Sequence, residues 1–200
     1  MQLWNSVCTT DVKFTKSASN GRFSFTNIDP TYQSRKATEL WGSYGDKWGL
    51  FDFKWTTLQA EHPILMLEGT FVYPTVEKAV CFPIAVDMKL KAGDDCCKKL
   101  VTSAISKSLS RLGFSADVYL GMFDDVAYVE DLKTRQGDQQ AFKLKALASI
   151  KKAATAEDLL KCESRVNQLI AGDTVDESIW RELLSEIGKR REAILTRAPA

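Results

Sequence analysis

The chain has 200 residues, 44% of them hydrophobic and 26% charged, and its 27 basic side chains against 26 acidic ones leave a net charge of +1. This is the balance of an ordinary folded domain, and it excludes both a disordered chain and a protein that holds nucleic acid by bulk charge alone. No window approaches the roughly 18 apolar residues of a membrane span, and the leading MQLWNSVCTT lacks the basic and apolar regions of a signal peptide, so a cytoplasmic protein without membrane contact is expected.

In chain order, residues 1–29 are polar and turn-rich, with SASNG at 17–21 and IDP at 28–30, and read as a lead-in and loop. From Pro30, TYQSRKATELWG has the apolar spacing of a short helix ending at Gly42. SYGDKWGL follows as a glycine-rich turn carrying Tyr44, Lys47 and Trp48. The period then changes to two. Residues 50–58, 64–73 and 78–90 are rich in aromatic and branched side chains and are separated by the turn-compatible AEHP and PTVE, which predicts three strands. Short links between consecutive strands make an antiparallel meander.

Residues 94–121, DDCCKKLVTSAISKSLSRLGFSADVYLG, carry the strongest helical signal in the first half of the chain. At one residue per ~100°, Leu100, Val101, Ala104, Ile105, Ser108, Leu109 and Leu112 share one side, the core side. Lys99, Ser103, Ser106 and Ser110 lie opposite, with Lys107 flanking them and Arg111 at the apolar boundary. Asp94 and Asp95 supply the N-cap and first-turn acids and Gly113 the C′ glycine, so a helix is predicted over residues 95–112, leaving through Gly113 into a strand-like apolar exit. The stretch from Lys89 to Arg111 is locally basic, with Lys89, Lys91, Lys98, Lys99, Lys107 and Arg111 against Asp94 and Asp95 alone. Taken by itself this is a core helix with an ordinary solvated face. Its polar side, cations and hydroxyls without an acid beyond the first turn, also suits approach to a phosphate backbone.

Residues 114–131 continue with apolar and aromatic positions that belong to the same core. TRQGDQQ, near residues 134–140, interrupts the pattern and marks a boundary. Beyond it the chain is rich in alanine, lysine and leucine, Thr155 with Asp158 and Thr174 with Glu177 have capping-box spacing, and Ile179, Trp180, Leu183, Leu184, Ile187 and Ile194 form an amphipathic stripe. The predicted fold class is α+β: an antiparallel β-meander with a long helix packed on it, a helix-β-β-β-helix core within residues 30–133, and a helical C-terminal appendage of two or three helices over residues 139–200.

The chemistry is one of binding. No GxxxxGK[ST] or GxSxG occurs, and one histidine, His62 beside Pro63, gives a nucleophile relay little material. The cysteines Cys8, Cys81, Cys96, Cys97 and Cys162 form no CxxC pair and no zinc set, and read as reduced, partly buried thiols. A two-metal nuclease needs carboxylates converging on ions about 4 Å apart. Asp94 and Asp95 are better explained as helix-start residues, and Asp124 and Asp125 as a turn, which leaves Asp117 without company and a nuclease as the weaker alternative. No catalytic residue, metal ligand or cofactor is therefore expected. Tyr32, Trp41, Tyr44 and Trp48 bracket Arg35, Lys36 and Lys47, the mixture of stacking planes and cations that single-strand binding uses. Trp41 and Trp48 read better as core, leaving Tyr44 and Lys47 as the exposed candidates.

Two blocks, KATELWGSYGDKWG at residues 36–49 and DCCKKLVTSAISKSLSRLGFSADVYLG at residues 95–121, stand in order with three strands between them. Together they resemble the phage single-strand annealing proteins of the essential recombination function type, related to the eukaryotic annealing protein Rad fifty-two. The resemblance covers about residues 30–125 and leaves the C-terminal helices outside. It implies a helix packed on a sheet, assembly into rings or filaments, and a positive groove that holds the phosphates of single-stranded DNA while the bases stay available. On that reading Lys107 matches a groove position, Tyr44 falls near the aromatic turn position, and Lys98 and Lys99 match the basic helix start. Arg35, Lys36, Lys47, Lys89, Lys91 and Arg111 complete the candidate DNA-binding set. Ser106 and Ser110 depart from the pattern, standing where some relatives carry further basic residues. The function implied is ATP-independent binding and annealing of complementary single strands in recombination or repair, without enzymatic activity, in the bacterial host cytoplasm if the protein is phage-encoded. The partners implied are single-stranded DNA, further copies of the chain, and a single-strand-binding protein met through the C-terminal helices. The alternative of a different class is an accessory single-stranded DNA-binding or replication protein that works through those helices.

Overall fold

The computed structural model describes all residues except 1, 20, 60, 91–94, 173–174 and 197–200. The candidate Lys91 and the expected cap residues Asp94 and Thr174 lie outside the described residues. The chain forms two compact units, residues 1–126 and 127–200.

The fold is α+β. In the first unit, strands β3 (Gly49–Leu58), β4 (Ile64–Pro74) and β5 (Ala79–Lys89) form an antiparallel meander in the order β3-β4-β5. Its register places Leu50 opposite Phe71 and Leu67 opposite both Trp55 and Val86. The period of two decides which face is packed. Leu65, Leu67 and Phe71 on β4 and Ile84 and Val86 on β5 are buried, while Pro83, Ala85 and Asp87 between and beside them are exposed.

Helix α3 (Cys96–Arg111) lies on the buried face and touches all three strands. It inserts Cys96, Leu100, Ala104, Ser108 and Leu109 into the core, with Val101, Ile105 and Leu112 half-buried around them, which is the side the helical period picks out. Burial of each large apolar side chain here stabilises the unit by about 1.5–3 kcal/mol. Ser108 is the exception, since its buried hydroxyl has no hydrogen-bond partner among the described residues. Asp95 is the N-cap residue of α3 but makes no side-chain cap bond. Helix α2 (Pro30–Trp41) packs against α3. It starts where Asp29 accepts from the Thr31 N–H at 2.8 Å, with Pro30 in its first turn, and it stops at Gly42, whose φ of 94° favours glycine.

Two local expectations give way to the structure. Residues 1–29 are not a loop: they form α1 (Gln2–Val7), a 3-10 turn at Val12–Phe14, and a hairpin of β1 (Thr15–Ser19) and β2 (Ser24–Ile28), a separate two-stranded sheet. Polar, half-exposed strands carry no apolar alternation, so tertiary anchors hold this segment instead. Phe14 stacks on Tyr32 with ring centres 4.7 Å apart, and the Thr10 N–H and hydroxyl donate to Asp117 at 2.8 and 2.5 Å. The exit from α3 is likewise not strand-like. Gly113 and Ser115, with φ of 98° and 56°, turn the chain into the short helix α4 (Ala116–Tyr119) and a 3-10 turn at Met122–Asp124.

The second unit comprises most of α5 (Val126–Lys152), with α6 (Ala156–Ala171) and α7 (Glu177–Leu195). TRQGDQQ does not interrupt it. That stretch is helical within α5, where Gly137 faces open space and no proline blocks the turn. Ile150, Ala153, Leu159, Val166, Leu183 and Ile187 form its core, packed by Ile179, Trp180, Leu184 and Ile194 of the expected stripe. The capping box at Thr155 and Asp158 is present, and the bonds from Thr155 hold the Asp158 carboxyl below its usual pKa. Arg190 on α7 donates from Nε and Nη2 to the Ala153 carbonyl at 3.0 and 2.8 Å, tying α7 to the link before α6. Among the described residues, no helix is long and apolar enough to cross a membrane.

Candidate nucleic-acid interface

The turn after α2 folds around the indole of Trp48. The Lys47 N–H donates to the Ser43 carbonyl at 2.9 Å, the Gly45 N–H to the Trp48 carbonyl at 2.7 Å, and Trp48 Nε1 to the Gly42 carbonyl at 3.0 Å. Trp48 is buried with these bonds made, and Trp41 is half-buried against it at 5.9 Å, so both tryptophans belong to the core. Tyr44 rests edge-on against Trp48 at 5.0 Å and remains 46% exposed, leaving its ring accessible. Lys47 is exposed and pairs with Asp46 at 3.5 Å. Tyr32 does not belong with these accessible aromatics. It is buried, its hydroxyl accepts the Asp11 N–H at 3.1 Å, and burial is the main force pushing its pKa up to about 12.

The α2 cations are partly engaged within the unit. Arg35 lies 4.7 Å over the Phe14 ring and pairs with Glu39 at 3.4 Å, while Lys36 is half-buried 5.9 Å from the centre of the Tyr32 ring.

On α3, Lys98, Lys99, Lys107 and Arg111 are all exposed. Lys98, Lys107 and Arg111 have no acidic partner among the described residues. At 1.5 Å and ~100° per residue Lys98 and Lys107 stand about 14 Å apart along the axis and on opposite sides of it, with Arg111 one turn beyond Lys107 on the same side as Lys107. The serine stripe behaves differently from its expected placement opposite the core. Ser103, Ser106 and Ser110 are half-buried, and α2 packs against α3 with Ser106 at the contact. The Ser106 hydroxyl donates to Gln33 Oε1, and the buried Gln33 amide donates to the Phe114 carbonyl at 3.3 Å. Ser110 donates to the Lys107 carbonyl of its own helix at 2.9 Å. Serines 106 and 110 therefore secure the α2–α3 seam and the helix backbone, and Lys107 stands beside that seam.

Lys89 is separated from this group. The alternation of β5 puts it with Ala85 and Asp87 on the sheet face turned away from α3. Tyr119 is the residue that sequence reasoning passed over, because VYLG read as part of a strand. It ends α4, is 53% exposed, and places its hydroxyl 3.4 Å from Ser106 Oγ.

The carboxylates do not gather. Asp117 is buried and accepts from Thr10 and from the Val118 N–H at 2.9 Å, so its oxygens are committed to holding α4 to the N-terminal segment. Among the described residues, no group of three or more His, Cys, Asp or Glu side chains could hold a metal ion. The chain matches no family model, no curated protein and no solved structure.

Proposed function

We propose that the protein binds single-stranded DNA through the outer surface of α3 and the turn at Tyr44, and anneals complementary strands without ATP in recombination or repair. The observation that carries this reading is the set of exposed α3 cations, Lys98, Lys107 and Arg111, left without acidic partners among the described residues. Elsewhere in the unit Lys13, Arg35, Lys47 and Lys54 each sit beside a carboxylate, while Lys16, Lys36, Lys78 and Lys89, on other segments, also have no acidic partner among the described residues. An unpaired cation keeps its full attraction for phosphate, and Lys107 and Arg111, four residues apart on one side of α3, together supply sequence-independent affinity. The resemblance to the annealing proteins of the essential recombination function type points the same way. Binding and alignment, with no bond made or broken, are all that annealing asks of the protein.

A chain of net charge +1 has only a modest patch to offer. Assembly of many copies into a ring or filament compensates by lining up weak sites along one strand, so that each additional subunit binds at high effective concentration. The helical second unit is the part left for contact with a protein partner such as a single-strand-binding protein.

The test is a titration of labelled single-stranded oligonucleotide against salt. Affinity should fall with a log–log slope of about −0.7 per phosphate contact. Changing Lys107 and Arg111 together to Ala should weaken binding at moderate salt about 10-fold and flatten the slope by about 1 to 2. Unchanged affinity and slope in that variant would remove both residues from the site.

A further inference from the structure

We infer that Tyr119 is a base-stacking platform at the margin of the α3 surface, presenting its ring to one face of a nucleobase in bound single-stranded DNA. The inference rests on the single-stranded DNA reading above and adds a second kind of contact to it.

Several observations converge on this ring. Tyr119 is 53% exposed, and its hydroxyl lies 3.4 Å from Ser106 Oγ, a long contact that sets the ring beside α3. Ser106 is itself fixed by its bond to the buried Gln33, which in turn bonds the Phe114 carbonyl. The helix that carries Tyr119 is anchored two residues back, where Asp117 takes the Thr10 N–H and hydroxyl. The platform is therefore positioned from both ends. An aromatic plane held in place loses little conformational freedom when a base stacks on it, and such stacking is sequence-tolerant because every base has a π-face.

Charge decides the kind of occupant. Lys107 is the next residue of α3, about 100° round the helix from Ser106, and it and Arg111 one turn on have no acidic partner among the described residues. A polyanion carrying flat apolar groups satisfies both halves of this surface. A second copy presenting the same surface would set its unpaired cations against these. Stacking also suits annealing. It occupies the face of a base and leaves the hydrogen-bonding edge open to a complementary strand, so the protein can hold a base without hiding its identity. Tyr44 has the corresponding polar rim and exposed ring in the turn after α2. Leu120, next in the chain after Tyr119 and 70% exposed, offers apolar surface without a π-face and serves as the control.

The experiment measures affinity of the full chain for oligothymidylate and for an abasic strand of equal length and charge. The wild type should favour the base-bearing strand, and Tyr119→Leu should cut that preference about 5-fold or more while leaving abasic affinity unchanged. Tyr119→Phe keeps the ring but gives up the contact with Ser106, so it should lose some of the preference for the base-bearing strand and clearly less than Tyr119→Leu. Leu120→Ala should leave both affinities where they are. Equal losses on both strands in Tyr119→Leu, or no loss on either, overturn the inference. So does a fall in solution mass with DNA affinity unchanged, which would make this surface a contact between copies. If the wild type binds both strands equally and in a salt-dependent way, stacking fails while the phosphate-binding reading stands. If it binds neither, that reading fails and takes the inference with it.

Discussion

Gly113 shows how one backbone position sets the direction of the chain beside the candidate interface. Its φ of 98° turns the chain out of α3, and a Cβ added there would come within 2.6 Å of the Trp4 indole. Alanine at this site must adopt a left-handed conformation and also displace a packed ring. Gly113→Ala should therefore destabilise the first unit by at least about 2 kcal/mol, lowering its urea midpoint. An unchanged midpoint would show that α1 does not brace the end of α3. The glycine itself is legible as a helix stop, because it follows the last apolar position of the stripe. Trp4 is not, since nothing local connects α1 to a residue more than a hundred positions away. Tyr119 escaped for a similar reason. Its value depends on Ser106 being turned toward Gln33, a contact made across helices.

At the level of elements, those with a clear period were legible. Helix α2, strands β3, β4 and β5, and helix α3 appear within a residue or two of their expected ranges, because each alternates or repeats its apolar positions strongly enough to define a buried side. The hairpin of β1 and β2 and the short α4 have no such signal, and anchors at Tyr32 and Asp117 hold them. Periodicity also sorts residues into sides without saying what covers each side. Ser103, Ser106 and Ser110 do share a stripe, but Ser106 is turned to Gln33 of α2, and the candidate interface moves to Lys107, Arg111 and the rim beyond. Glycine misleads in the opposite direction in TRQGDQQ, where Gly137 sits inside α5 with open space around it. Gly137→Ala should stabilise the helical unit by about 0.5–1 kcal/mol, the cost of glycine in an exposed helix interior. A thermal melt that moves down instead of up would mean that this glycine serves a strained or contacted backbone.

Over the whole molecule, two units with separate cores divide the work in the proposed scheme. The first carries the cations and exposed aromatics, and the second, rich in ion pairs such as Lys143 with Glu182 and Arg191 with Glu163, offers a helical surface for assembly or partners. A near-neutral chain can still present a basic patch where its acids lie elsewhere, beside other cations as Asp46 does with Lys47, or inside the fold as Asp117 does. What the sequence made visible of the candidate site was its charge, on a helix whose range was readable. What it left out was the seam that decides which polar residues face outward. The measurement that bears most directly on the central claim mixes complementary oligonucleotides with the purified full chain in the absence of nucleotide and divalent metal, and follows duplex formation with time. The account predicts pairing faster than the spontaneous rate, with the acceleration falling as salt rises and falling again when Lys107 and Arg111 are changed to Ala. Pairing at the spontaneous rate across the salt series would contradict it.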